Sequence, residues 1–166
     1  GPLSQFRGKA KFGDSGQAMT GMHWVGDLMV EASVQPKPDC KEVIVELVEA
    51  GVQYQCALDL EQNSATLRIL DGDQGLSFSD GDGNEVANVT APISTGGSFE
   101  IRMSNFDDHL LVWIDDELLT FDGPTTFDTG RFREASQDGP QTKRGVHPLD
   151  AAPVGIAVKG GSATIN

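Results

Sequence analysis

The sequence predicts an all-β fold: an antiparallel β-sandwich of the concanavalin-like or laminin-G-like jelly-roll kind. Three observations lead there. Apolar residues recur with period two in short runs along most of the chain. No stretch keeps a convincing helical period over about eleven residues. The 166 residues include 20 Gly and 8 Pro, a composition of many turns.

The elements follow in order. Leu28, Val30, Ala32 and Val34 alternate with Met29, Glu31, Ser33 and Gln35, a half-buried strand. A second strand covers 43–49 and a third 52–60, with Ala50-Gly51 as a tight hairpin connection. In the third strand the even positions are apolar, which puts Cys56 on the buried face. Ala65, Leu67 and Ile69 alternate with Thr66 and Arg68, and Phe99, Ile101 and Met103 with Ser98, Glu100 and Arg102. Residues 109–115 and 118–121 flank Asp116-Glu117, read as another hairpin. Val154, Ile156 and Val158 form a late alternation, and 163–165 one more short strand. Strands of this number and length, joined by Gly, Asp and Pro turns, each bury one face against an opposing sheet.

Two stretches break the pattern. Residues 71–85 are rich in Gly and Asp, and 122–150 form a long polar segment carrying Arg131, Arg133, Lys143 and Arg144. The second is expected to be a mobile loop. Gly1-Pro2-Leu3-Ser4 reads as a cloning scar left by a protease site, residues 5–22 as a flexible lead-in, and 23–166 as one sandwich domain.

Charge excludes some functions. With 25 acidic and 12 basic residues the chain carries a formal charge of −13, unsuited to nucleic acid or to an anionic membrane surface. The densest apolar run, Leu110–Ile114, is far short of the roughly 18–20 residues a membrane helix needs. Direct contact with a membrane is not expected from these residues.

The chemistry-bearing residues are sparse. Cys40, after a Pro-rich turn, and Cys56 are read as an incidental loop thiol and a small buried hydrophobe; a disulfide between them stays open. Asp80-Gly81-Asp82-Gly83-Asn84 spaces oxygen ligands as calcium loops do, but Glu85 and Ala91 stand where an EF-hand needs Gly and Glu. It is read as a solvated acidic turn, and Asp71-Gly72-Asp73 likewise. His23, His109 and His147 are too far apart in sequence to suggest a metal cluster, and His23 beside Trp24 is read as packing. No Gly-x-Ser-x-Gly elbow is present, and Lys143 lies in a polar loop that leaves it solvated. Neither a catalytic residue, a metal ligand nor a cofactor is assigned.

One strand offers a surface. If Leu110, Val112 and Ile114 face the core, then His109, Leu111 and Trp113 line the other side of the sheet. An outward Trp suits stacking on a sugar or anchoring a peptide, unless the 122–150 loop covers it. These three are the candidate ligand-binding residues.

Two passages carry a family resemblance. His23-Trp24-Val25-Gly26-Asp27-Leu28-Met29-Val30-Glu31 is one, and Ser104-Asn105-Phe106-Asp107-Asp108-His109-Leu110-Leu111-Val112-Trp113-Ile114-Asp115 the other. With Glu46–Gly51 between them and Ala152-Pro153-Val154-Gly155-Ile156 after them, the chain resembles a domain within the signal peptidase I proteins of planctomycete bacteria. The resemblance implies an inserted, extracytoplasmic sandwich of a membrane-anchored serine endopeptidase that removes signal peptides. The strand-like end at Ala163–Asn166 suits an excised insertion. The family's Ser-Met-x-Pro box is missing, and Lys143-Arg144-Gly145-Val146-His147-Pro148 departs from its lysine box, so no catalytic residue carries over. The domain itself would be non-catalytic, with a protein or glycan near the membrane as its partner. The alternative is a free-standing concanavalin-like carbohydrate-binding module. A third reading, a glycoside hydrolase, needs two carboxylates facing one cleft, with Glu46, Asp59 and Glu100 as the strand-borne candidates.

Overall fold

The computed structural model describes residues 27–49, 52–70, 76–79, 85–93, 96–128 and 152–166. Among them are ten strands in two sheets and no helix. The first sheet runs β10 (Ala163–Ile165), β1 (Leu28–Pro36), β6 (Phe99–Phe106), β7 (His109–Ile114), β8 (Glu117–Leu118). The second runs β5 (Glu85–Thr90), β4 (Ser64–Leu70), β3 (Val52–Asp59), β2 (Glu42–Glu49), β9 (Val154–Lys159). Every pairing is antiparallel, giving the jelly-roll-type sandwich that the alternation predicts.

The core lies where the two inner faces meet. Val34, Phe99, Ile101, Met103, Leu110, Val112 and Ile114 enter it from the first sheet. Val43, Val45, Leu47, Tyr54, Cys56, Leu58, Leu67 and Ile69 enter from the second. All are buried, and each large aliphatic side chain so placed contributes about 1.5–3 kcal/mol relative to exposure. At one end Asn105 points inward and its Nδ2 donates to Glu49 Oε2 at 2.9 Å, a polar tie from β6 to the end of β2.

Several boundaries differ from the sequence reading. β5 has no counterpart in it. Its register places Val89 opposite Ala65 and Val86 opposite Leu67, so two residues of β5 answer one of β4. Such a bulge interrupts the period-two signal by which strands are found. β6 runs on to Phe106 and turns through Asp107-Asp108 into β7, with Phe106 opposite His109. The next hairpin turns at Asp115-Asp116 rather than Asp116-Glu117, and β8 is two residues long rather than four.

Both turns hold two consecutive residues at positive φ: 50° and 59° in the first, 47° and 65° in the second. That is the two-residue hairpin geometry favoured by right-handed strand twist, where Gly at the second site is the relaxed choice. Asp at φ 65° bears part of the roughly 1–2 kcal/mol left-handed penalty. Asp116→Gly is therefore expected to raise stability by about 0.5–1 kcal/mol, even with its exposed contact to Arg102 lost. A thermal melt reads the gain; an unchanged or lower Tm would show that the carboxylate matters more than the backbone.

Two connections cross between the sheets side by side. Residues 37–41 lead from β1 to β2, and Gly160–Ser162 lead from β9 back to β10. They are stitched by Lys37 N–H to Ser162 O and Lys41 N–H to Lys159 O, both 2.9 Å.

The segment that follows β8 is not a free loop at its start. Thr126 bridges to His109 and Phe127 to Phe78, and the Leu110 N–H donates to Thr125 O at 2.9 Å. Phe127 is buried and stacks on Tyr54 with centroids 4.9 Å apart. Thr125, Thr126 and Phe127 are thus joined to β7, the turn before it and Phe78. Residues 129–150, the acidic turns at 71–73 and 80–84, His23 with Trp24, Lys143, and the segments 1–4 and 5–22 lie outside the described residues.

Cys40 and Cys56 are both buried and unbridged. Cys40 is thus no exposed loop thiol: its Sγ lies 3.7 Å from the Glu42 carbonyl it donates to. Burial pushes the Cys56 thiol up to about 12 and raises that of Cys40 as well, so neither is a ready thiolate.

Candidate functional site

The alternation of β7 places His109, Leu111 and Trp113 on the outer face of the first sheet, as the sequence predicts, each half-buried. The register shows what stands beside them. Glu31, Arg102, Trp113 and Leu118 form one row across β1, β6, β7 and β8. Met29, Ser104 and Leu111 form the next, and Phe106 faces His109 in a third.

The row through Trp113 is ordered by charge. Arg102 Nε donates to Glu31 Oε2 at 2.6 Å, and Arg102 Nη2 to Asp116 Oδ1 at 3.3 Å. The guanidinium lies 5.9 Å from the Trp113 ring centroid, within cation–π range. The Glu31 carboxylate first, and Asp116 after it, hold Arg102 above its already high ordinary pKa. It is a permanent cation whose charge is answered within the protein. The indole beside it is braced.

Around this centre the face is open and apolar. Met29 is 60% exposed, Phe106 54% and Leu118 48%. All three occupy outward positions in strands that otherwise alternate apolar-in and polar-out. His109 sits at the edge of the group, its Nε2 2.8 Å from Thr125 Oγ1. The candidate triad thus stands together on one face, with His109 engaged by the chain rather than free. Sequence reasoning missed Met29, Arg102, Phe106 and Leu118. An apolar residue at a polar-parity position is the signal that finds Met29 and Phe106; Arg102 needs the register.

The outer face of the second sheet is of another kind. Ile44, Val48 and Ala57 point outward there yet are buried, and none belongs to the central core. The rows between and beside them are polar. Glu46 accepts from Gln53 Nε2 at 3.0 Å and from Gln55 Nε2 at 2.6 Å. Glu42 lies 2.8 Å from Lys159 Nζ and 3.8 Å from Arg68 Nη1. Leu70, opposite Gln53, is exposed at the edge of this face.

The hydrolase candidates separate. Glu46 and Asp59 are on the outer face of the second sheet, Glu100 on that of the first. They flank no common cleft, as two glycosidic carboxylates must. Among the described residues no three His, Cys, Asp or Glu side chains come together as metal ligands.

With the geometry in place, comparison adds a likeness of fold. The sandwich is similar to a carbohydrate-binding module of Bacillus subtilis, at 13% identity and TM-score 0.43 over 64% of this chain and 66% of the module. It is similar to a galectin of Caenorhabditis elegans at 9% identity and TM-score 0.48, over 85% of this chain and 82% of the galectin. Chicken galectin 2 gives 10% identity and TM-score 0.44, over 86% and 92%. Likeness at this level concerns strand arrangement and decides nothing about a ligand. No protein-family model and no curated protein matches the chain, and these likenesses provide no link to signal peptidase I.

Proposed function

We propose that this domain is a non-catalytic carbohydrate-binding module whose binding surface is the outer face of the first sheet, centred on Trp113. The observation that carries this reading is the contrast between the two outer faces. One sets buried Ile44, Val48 and Ala57 among hydrogen-bonded and ion-paired side chains, with Leu70 its one exposed large apolar residue among the described residues; the other presents a braced indole among exposed Met29, Phe106 and Leu118. A sugar ring has one face of C–H groups and a rim of hydroxyls. It gains from an aromatic plane with nearby polar edges, here Arg102 and His109. The sandwich likeness to a carbohydrate-binding module agrees in kind and is not needed for the argument.

A glycan array followed by titration calorimetry tests it. Trp113→Ala is expected to weaken binding by about tenfold or more, because truncating a central aromatic anchor removes about 1–3 kcal/mol. Its melting curve should stay close to that of the unaltered protein, since the indole is half-buried on the surface. Absence of any glycan ligand, or binding indifferent to Trp113, would sink the reading.

The resemblance to the signal peptidase I insertion concerns the polypeptide in which such a module sits. It rests on the His23–Glu31 and Ser104–Asp115 passages, and implies a module on the extracytoplasmic side of a membrane-anchored parent. Flanking Ser and Lys boxes in the full gene would support it; their absence would remove it.

A further inference from the structure

Resting on the carbohydrate-binding reading, we infer that the Trp113 face selects a cationic glycan, a polymer of hexosamine with free amino groups, over neutral or anionic ones. The inference comes from the charges around the indole. Among the described residues of β1, β6, β7, β8 and their two hairpin turns, Arg102 is the only Lys or Arg. Its charge is already met by Glu31 and Asp116.

Against it stand Glu100 on the outer face, Asp107 in one turn and Asp115 in the other, all exposed. Asp115 also accepts the Glu100 N–H at 2.8 Å, which holds its carboxylate at the foot of the face. An apolar strip about two strands wide therefore runs between two acidic ends. A uronate or sulfated chain laid along it meets uncompensated carboxylates. A chain bearing ammonium groups meets opposite charge at both ends while its ring faces rest on Trp113, Leu111 and Met29.

Each exposed charge pair is worth little alone, and salt screens it over about 8–10 Å. Several acting on one multivalent chain add up, and selection among glycans of one shape follows their charge.

The test compares three oligomers of equal length by titration calorimetry and by the NMR shift of the Trp113 indole N–H. They are a glucosamine hexamer, its fully N-acetylated form and a galacturonic acid hexamer, all at one pH of about 5.5, on the acid side of ordinary amines. The glucosamine hexamer is expected to bind about tenfold tighter than the N-acetylated one at low salt. Most of that advantage should vanish as salt rises from about 20 mM to about 500 mM. Glu100→Lys with Asp107→Asn should remove it at low salt too, leaving the N-acetylated hexamer unaffected.

Equal binding of the two hexosamine forms, or tighter binding of the galacturonate at the indole, would overturn the charge selection and leave the glycan reading standing. If none of the three moves the indole, while a neutral glycan from the array binds through Trp113, the selection also fails alone. If a hexalysine peptide matches the glucosamine hexamer and Trp113→Ala weakens neither, the attraction is charge alone and both readings fall.

Discussion

Phe127→Ala is expected to lower the free energy of unfolding by about 3–5 kcal/mol, the usual cost of emptying a buried aromatic site. Phe127 is 4% exposed and packs face to face on Tyr54, with ring planes 28° apart. Its backbone pairs with Phe78, and its N–H donates to Asp108 O at 2.9 Å, so side chain and main chain act together. A small domain is typically stable by only about 5–15 kcal/mol, so the variant would stand near the edge of folding. Urea denaturation followed by Trp fluorescence reads the change. Phe127→Leu refills most of the space and should cost clearly less. A cost under about 1 kcal/mol for Phe127→Ala would mean that residues 122–128 are not part of the cooperative fold.

Gly161→Ala is the second large effect, expected at about 1–3 kcal/mol or more. A Cβ on Gly161 would lie 2.5 Å from the Asp39 carbonyl carbon and 2.6 Å from its oxygen. Backbone cannot swing aside as a side chain can. The two sheet-crossing connections would have to part, straining the bonds from Lys37 to Ser162 and from Lys41 to Lys159. Gly96→Ala is the control. Gly96 has φ +91° with nothing within 4 Å of its would-be Cβ, so that variant carries backbone strain without a clash. Equal melting temperatures for the two variants would show that conformation, not close approach, makes Gly161 necessary.

Much of the fold is legible in the residues. The alternation in 28–35, 52–60, 65–69 and 99–103 names the core-facing side of each strand correctly, because side chains with a period of two point to opposite faces in turn. Where the period is broken the reading fails. The bulge between Ala65 and Leu67 conceals β5, and Asp-Asp turns at positive φ lack the Gly or Asn that marks most hairpins. Phe127 shows a different limit. One aromatic in a polar stretch carries no periodic signal, and its burial depends on Tyr54, far away in the chain.

The candidate site divides in the same manner. His109, Leu111 and Trp113 share a face by local geometry alone. The −13 charge argued against nucleic acid and an anionic membrane surface from composition alone, and the carboxylates around the indole give that number a place on the molecule. Only the tertiary structure decided that Arg102 braces Trp113 and that Glu31, 71 residues away in sequence, braces Arg102. Strand periodicity specifies which way a side chain points. Which strand lies next to it, and at what register, is set by pairing distant segments, and no local pattern encodes that partner.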